Sequence, residues 1–189
     1  MVDQRGANEA EKHIMRLLSL EKKLSKYKLV LHHGGPYGVD IEATAPGYED
    51  FAIEIENTEG KKWGPRDPAP TSWKKGYSVP SRKKKFFQTH PFCIYIKVND
   101  TLTRAMVIPM SFIFCEEEQT YDNSTSSHFS NNTFHVIPKS DHPAVGLCKI
   151  EDVPNLVSDY FQALTLLKRS VSKYTDQRPV FHNKEKSNA

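Results

Sequence analysis

The sequence predicts an α/β fold in which helices flank a central mixed β-sheet. The elements follow in the order helix, three strands, short helix, two strands and a long amphipathic helix. The chain has 189 residues, of which 38% are hydrophobic and 26% are charged, and this composition is typical of a globular protein. We therefore expect one domain over residues 1–175, followed by a basic, flexible tail over residues 176–189.

The first helix is predicted over Ala7–Lys26, where apolar residues recur every three or four positions. Asn8 is the expected N-cap residue. Glu11 lies among the apolar positions of this helix, whereas Glu9 lies on the neighbouring stripe.

Three strands are expected next, separated by turns at Gly34-Gly35-Pro36 and Pro46-Gly47. They cover Tyr27–His32, Gly38–Thr44 and Phe51–Asn57. Because side chains alternate along a strand, Glu54 and Glu56 share one face of the third strand, roughly 7 Å apart. Asp40 joins them on that face if the second and third strands pair through the Pro46-Gly47 turn.

The second half of the chain alternates between turn-rich and apolar segments. Gly64–Ser78 is rich in Pro and Gly and predicts a long loop. Glu116–Thr133 is polar and predicts an exposed loop. Helices are expected over Pro80–Gln88, with Pro80 in the first turn, and from Asp152 to about Tyr174. The predicted strands are Phe92–Val98, Leu102–Pro109, Thr133–Pro138 and Val145–Ile150.

Positive charge is concentrated in one segment, Lys61–Lys85. The net charge of the chain is +3, but this segment contains nine basic residues and one acid, so that it carries +8 and the remainder −5. Such a concentration indicates a phosphate-rich partner. The aromatic residues within it, Trp63, Trp73 and Tyr77, would either stack on bases or pack beneath the loop.

Several classes of protein are disfavoured. No apolar run approaches the roughly 18 residues of a membrane span, and the first residues lack the apolar core of a signal peptide. The three cysteines, Cys93, Cys115 and Cys148, are widely separated and odd in number, which argues against a disulfide framework or a zinc knuckle. We therefore expect a cytoplasmic protein without a membrane partner.

The three acids Asp40, Glu54 and Glu56 predict a cation site. Grouped carboxylates repel one another, and at least one pKa rises unless a cation neutralises them. Mg²⁺ or Mn²⁺ prefers oxygen ligands, polarises phosphoryl oxygens and activates water near neutral pH. The adjacent basic segment supplies what a phosphodiester substrate needs.

These residues resemble the PD-(D/E)xK, or restriction-endonuclease-like, nuclease superfamily. The matching pattern is Gly38-Val39-Asp40, thirteen residues, and then Glu54-Ile55-Glu56. The resemblance covers about Ala7 to Val98, and valine replaces the usual proline before Asp40. It implies a restriction-endonuclease-like fold, an Mg²⁺ or Mn²⁺ cofactor held by Asp40 and Glu54, and a further metal ligand from the first helix, with Glu11 the best match and Glu9 second.

Glu56 occupies the position of the motif lysine, and this departure leaves three alternatives open. An ExE variant of the superfamily is known, in which the glutamate would orient or deprotonate the attacking water. Alternatively, a lysine from another element, namely Lys61, Lys62 or Lys83, takes the lysine's role. In the third alternative, catalysis is lost and only binding remains.

The resemblance and the basic segment together predict a metal-dependent endonuclease that acts on DNA rather than RNA. Asp40, Glu54, Glu56 and Lys83 are the expected catalytic residues. Further basic residues would contact the nucleic-acid backbone and make binding depend on salt. These are Lys61, Lys62, Arg66, Lys74, Lys75, Arg82, Lys84 and Lys85. Cutting both strands with so small a chain would favour a homodimer.

Two other functions fit the same sequence. One is a nucleic-acid-binding domain on the same fold without catalysis. The other is an α/β domain of a protein–protein assembly, in which the acids occupy a solvent-facing side of the sheet. The last predicts no salt-dependent binding to nucleic acid.

Overall fold

The computed structural model describes residues 4–32, 38–57, 63, 77–80, 83–114, 120–122, 133–137 and 144–176. The helices within these ranges are α1 (Gln4–Leu20), α2 (Lys84–Thr89), α3 (Met110–Phe114) and α4 (Val153–Asp176). The strands are β1 (Lys28–Leu31), β2 (Ile41–Thr44), β3 (Phe51–Asn57), β4 (Tyr77–Pro80), β5 (Cys93–Val98), β6 (Arg104–Pro109), β7 (Thr120–Asp122), β8 (Thr133–Ile137) and β9 (Gly146–Lys149).

The main sheet has six strands in the order β1-β2-β3-β5-β6-β9. β3 and β5 run parallel, and the other neighbouring pairs are antiparallel. The sheet is therefore mixed and flanked by helices, as the sequence predicts. A parallel pair needs a crossover connection, and the segment between β3 and β5, which contains β4 and α2, provides it.

Apolar side chains cover both faces of this sheet, which is the usual environment of paired parallel strands. On the first face, Ile53 and Ile55 of β3 pack with Ile14 of α1 and Val157 of α4. On the second face, Ala52 of β3 packs with residues of β5, β6 and α3. Side chains alternate along β3, so Glu54 and Glu56 lie on the second face, beyond Ala52.

A second sheet has three antiparallel strands in the order β4-β8-β7. The prediction that Pro80 begins a helix is wrong, because Pro80 ends β4, opposite Phe134 of β8, and α2 begins at Lys84. β4 is an edge strand, where a residue without an N–H is tolerated. The expected loop over Glu116–Thr133 likewise contains β7, whose polar residues are held by pairing with β8.

Other boundaries shift by a few residues. α1 begins at Gln4, so Asn8 lies inside the helix and not at its N-cap, since the preceding Gln and Arg favour helix themselves. The helix ends at Leu20, and a 3₁₀ turn over Lys22–Leu24 follows it. α3 was not predicted. Residues 64–76, most of the Pro- and Gly-rich stretch, and residues 177–189 of the predicted tail lie outside the described residues.

Candidate active site

Asp40 and Glu54 lie side by side on the second face of the main sheet. β2 and β3 pair antiparallel with Ile41 opposite Ile53, so that the next pair in this register is Asp40 and Glu54. The backbone N–H of Asp40 donates to the carbonyl of Ile53 at 3.1 Å, so the backbone hydrogen bonding between the two strands continues as far as Asp40. Asp40 Oδ2 in turn accepts a hydrogen bond from the Ile55 N–H at 2.6 Å. The predicted neighbourhood of the two carboxylates is confirmed.

Lys83 reaches into this pair of strands from the residue before α2. Its ammonium group donates a hydrogen bond to Glu54 Oε1 and lies 4.0 Å from Glu56 Oε2. The side chains of Lys83 and Glu54 are only 10% and 7% exposed. Burial acts to lower the pKa of Lys83, but the carboxylates of Glu54, Glu56 and Asp40 outweigh it and raise that pKa. Lys83 is therefore a buried, charged ammonium group at neutral pH.

Glu11 adds a third carboxylate from α1. It is 7% exposed, and burial, together with the charge of Asp40, raises its pKa to about 7. Glu9, in contrast, is exposed and pairs with Lys12 at 3.7 Å. The position of Glu11 among the apolar residues of the predicted helix was therefore the informative signal.

Within the described ranges, two carboxylate oxygens of this group have no hydrogen-bond partner. They are Glu11 Oε2 and Glu54 Oε2, both buried. Burial, with the charges of Asp40 and Glu56, also raises the pKa of Glu54 to about 7 against the opposing effect of Lys83. Burial raises the pKa of Asp40 as well, although the Ile55 hydrogen bond opposes the rise. We refer to Glu11, Asp40, Glu54 and Lys83 as the carboxylate cluster.

Glu56 has a different environment, because residues of β5 hold its carboxylate. Tyr95 donates to Glu56 Oε2 at 2.7 Å, and Lys97 donates to Oε1 at 2.8 Å. Burial acts to raise the pKa of Glu56, but Lys97, Lys83 and the Tyr95 hydroxyl together hold it below its ordinary value. Glu56 is therefore a fixed anion with both oxygens occupied, and it is a weaker proton acceptor than a free glutamate.

The cluster suits a hard divalent cation that keeps most of its water. In the described part of the chain, no three His, Cys, Asp or Glu side chains are arranged closely enough to hold an ion directly. Mg²⁺, however, is commonly bound through one or two carboxylates and several waters. The carboxyl groups of Glu11 and Glu54 have pKa values of about 7, and their unpartnered oxygens are suitable ligands for such an ion.

The predicted nucleic-acid contacts are only partly described. Lys84 is half-buried in α2, and Lys85 belongs to the same helix. Trp63 is fully buried in the core of the second face, which favours packing over base stacking for this residue. Tyr77 lies in β4. The other predicted contacts, Lys61, Lys62, Arg66, Lys74, Lys75 and Arg82, lie outside the described residues, as does Trp73.

Tyr95 and Lys97 are the residues that the sequence did not indicate. Both belong to a run, Phe92–Val98, that is almost uniformly apolar, so no alternation marks its polar side. The available signal was the lysine itself, a charged residue within an apolar run, and in the structure Lys97 lies directly opposite Glu56 in the parallel register. A buried lysine in a strand requires a partner, and Glu56 is that partner.

Replacement of Glu11 by glutamine is expected to stabilise the metal-free protein at pH 8. The pKa of Glu11 is about 7 in the folded protein and about 4.5, its ordinary value, in the unfolded chain. The free-energy cost of ionising Glu11 in the folded protein therefore develops as the pH rises from about 4.5 through 7, and it is complete above pH 7. Glutamine removes a cost of up to about 3 kcal/mol. Urea unfolding in EDTA at pH 4.5 and pH 8 measures this gain, which should vanish at pH 4.5. Equal effects at both pH values would contradict the assignment.

No protein-family model, curated protein or solved structure compared with this chain gives a match.

Proposed function

We propose that this chain is a metal-dependent endonuclease of the restriction-endonuclease-like type, which hydrolyses phosphodiester bonds in DNA rather than RNA. The observation that carries the proposal is the carboxylate cluster, in which three acids from α1, the approach to β2, and β3 meet a buried lysine. Lys83 itself belongs to the basic segment. The basic segment therefore reaches the acids through Lys83, while the preference for DNA rests on the resemblance of the motif.

Each residue of the cluster has a defined role in this proposal. Glu11, Asp40 and Glu54 would hold the cation together with the water molecules that it keeps, and the unpartnered oxygens of Glu11 and Glu54 are available for this. A bound divalent ion supplies polarisation of the phosphoryl oxygen and a water of lowered pKa. The Lys83 ammonium group donates a hydrogen bond toward the charge that develops on the phosphate. Arg82 and Lys84, its neighbours in sequence, contact the adjoining backbone.

Among the three alternatives for Glu56, its contacts favour the second, in which Lys83 takes the place of the motif lysine. Glu56 is held by Tyr95 and Lys97, and its pKa is lowered. A carboxylate with both oxygens occupied is poorly suited to accept a proton from water. Its charge instead helps to keep Lys83, 4.0 Å away, protonated and in place. Glu56 is therefore a positioning residue in this proposal.

The function is tested by a cleavage assay with the purified chain in Mg²⁺ or Mn²⁺. Circular and linear double-stranded DNA, single-stranded DNA and RNA are offered as substrates. We expect DNA to be cut, EDTA to stop the reaction, and binding to weaken steeply with salt. Failure to cut any of these substrates in either metal would refute the proposal.

A second candidate is a nucleic-acid-binding domain without catalysis. The observation that favours it is the buried ion pair of Lys83 with Glu54, because this pair compensates its own charge without a metal ion. This candidate predicts salt-dependent binding, no cleavage and no stabilisation by Mn²⁺. Replacing Arg82, Lys84 and Lys85 together by alanine should weaken that binding. If no binding is found at all, the remaining candidate is the protein–protein interaction domain.

A further inference from the structure

A cavity of about 310 Å³ lies away from the carboxylate cluster, between α4 and the start of β1. None of the cluster residues lines it. Its volume is at the lower end of the range for small-molecule sites, roughly 300–1,000 Å³. Its lining includes the side chains of Tyr27, Tyr48 and Phe161, two lysines and the polar residue Gln162, but no aspartate or glutamate.

The aromatic wall of this cavity is fixed by local structure. Ala45-Pro46-Gly47-Tyr48 forms a turn in which the Tyr48 N–H donates to the Ala45 carbonyl at 3.1 Å. Gly47 has a φ of 76°, which suits the third position of a type II turn after proline. The turn brings the Tyr48 ring within 6.0 Å of the Tyr27 ring, and Tyr27 in turn packs edge-on to Phe161 at 5.6 Å. Tyr27 and Phe161 are buried, whereas Tyr48 is 42% exposed at the mouth.

The two lysines of the lining give the cavity a positive charge. The Lys26 ammonium group lies 3.8 Å from the centre of the Tyr48 ring and 5.4 Å from that of Tyr27. Among the described residues, no carboxylate lies within 4.0 Å of it. Lys23 pairs with Asp159 at 3.4 Å, but both side chains are exposed, and such a pair is easily exchanged. In the part of the chain that the structure describes, Lys26 is therefore a cation without an acidic partner, held over an aromatic ring.

We propose that this cavity binds a nucleotide, with the base against the tyrosines and the phosphate on Lys26 and Lys23. A phosphate attracts an ammonium group more strongly than an exposed ring does, so an anionic ligand would draw Lys26 away from Tyr48. The uncovered ring face is then free to stack on a base, as aromatic side chains do in sites for single-stranded nucleic acid. Gln162 Nε2 donates a long hydrogen bond to Ser158 Oγ at 3.4 Å, and its carbonyl oxygen and second N–H can bond to the edge of the base. This inference does not depend on the proposed nuclease function.

The nucleotide has two potential sources, a free mononucleotide or the terminal nucleotide of a nucleic-acid chain. Calorimetric titration in EDTA, which excludes cleavage, compares AMP and dTMP with adenosine, ribose 5-phosphate and inorganic phosphate. A 5′-phosphorylated trinucleotide and a circular single strand that lacks an end complete the set. We expect a nucleotide to bind more tightly than its base-free or phosphate-free parts. Tight binding of the trinucleotide but not of the mononucleotides would identify a chain end as the source.

Three variants connect the binding to this cavity. Lys26→Met and Tyr48→Leu alter exposed side chains and are each expected to weaken nucleotide binding about tenfold. Lys28→Met, two residues away on β1 and outside the lining, is the matched control and should leave binding unchanged. Thermal melting confirms that the variants fold. The inference is overturned if no nucleotide or trinucleotide binds, if phosphate binds as tightly as the nucleotides, or if Lys28→Met weakens binding as much as Lys26→Met.

Discussion

Replacement of Glu54 by glutamine is expected to abolish metal-dependent cleavage while nucleic-acid binding remains. Glu54 is buried beside Asp40 and has one unpartnered oxygen, so it is the central candidate for holding the cation. Glutamine keeps the size of the side chain but removes the negative charge that a hard divalent ion requires. We expect the rate to fall by roughly a hundred- to a thousandfold. The basic residues that contact the phosphates are unchanged, so binding should remain within about twofold.

The two effects are measured separately. Initial rates of plasmid nicking give the activity, and filter binding in EDTA gives the affinity without turnover. Glu42→Gln is the matched control, because Glu42 lies on the same strand face as Asp40 but is 38% exposed and pairs with His32 at 3.1 Å. This variant should cut at the wild-type rate. Unchanged cutting by Glu54→Gln would show that Glu54 does not hold a catalytic metal ion.

The approach of Asp40 to Glu54 could be predicted from the sequence because it depends on local patterns. Phe51–Asn57 alternates clearly, and this strand has the predicted bounds. The Pro46-Gly47 turn is short enough to force the two strands to pair antiparallel. Strand alternation then assigns both acids to one face. Nothing beyond these neighbouring segments was required.

The contacts of Lys83 and Lys97 could not be predicted in the same way, because they depend on the crossover between β3 and β5. The register of a parallel pair is set by the whole connection and by packing on both faces, and a single sequence does not encode it locally. Nothing in the sequence distinguishes Lys83 from Lys61 and Lys62, and Lys97 lies within a run of apolar residues. The same crossover places Lys83 and Lys97 beside Glu56.

Replacement of Lys83 by methionine is expected to destabilise the metal-free protein by roughly 3–5 kcal/mol near pH 8, because it removes one partner of a buried ion pair. Methionine retains the apolar length of the side chain, so the loss is chiefly one of charge. Glu54 would then have no ammonium group beside it, and its pKa would rise further above the present value of about 7. The part of the loss that Glu54 causes should therefore develop as the pH rises above about 7 and should be absent at pH 4.5, where the folded protein holds this carboxyl group protonated in both the wild type and the variant.

Urea unfolding in EDTA at pH 4.5, 6 and 8 measures this dependence. Lys12→Met is the matched control, since Lys12 also pairs with a glutamate, but at 3.7 Å and with both side chains more than half exposed. Its effect should stay below about 1 kcal/mol at each pH. An equal loss in Lys83→Met at pH 4.5 and pH 8 would indicate lost packing rather than an uncompensated carboxylate.

Addition of Mn²⁺ to the Lys83→Met variant separates the two functions proposed for the cluster. If Glu11, Asp40 and Glu54 hold a cation, Mn²⁺ replaces the charge of the missing ammonium group, and the variant should regain more stability than the wild type gains. A ligand that binds only the folded state necessarily stabilises that state against unfolding. A variant that is destabilised but unaffected by Mn²⁺ would show that Lys83 is the permanent counter-ion of these acids. That result would favour the non-catalytic nucleic-acid-binding domain over the nuclease.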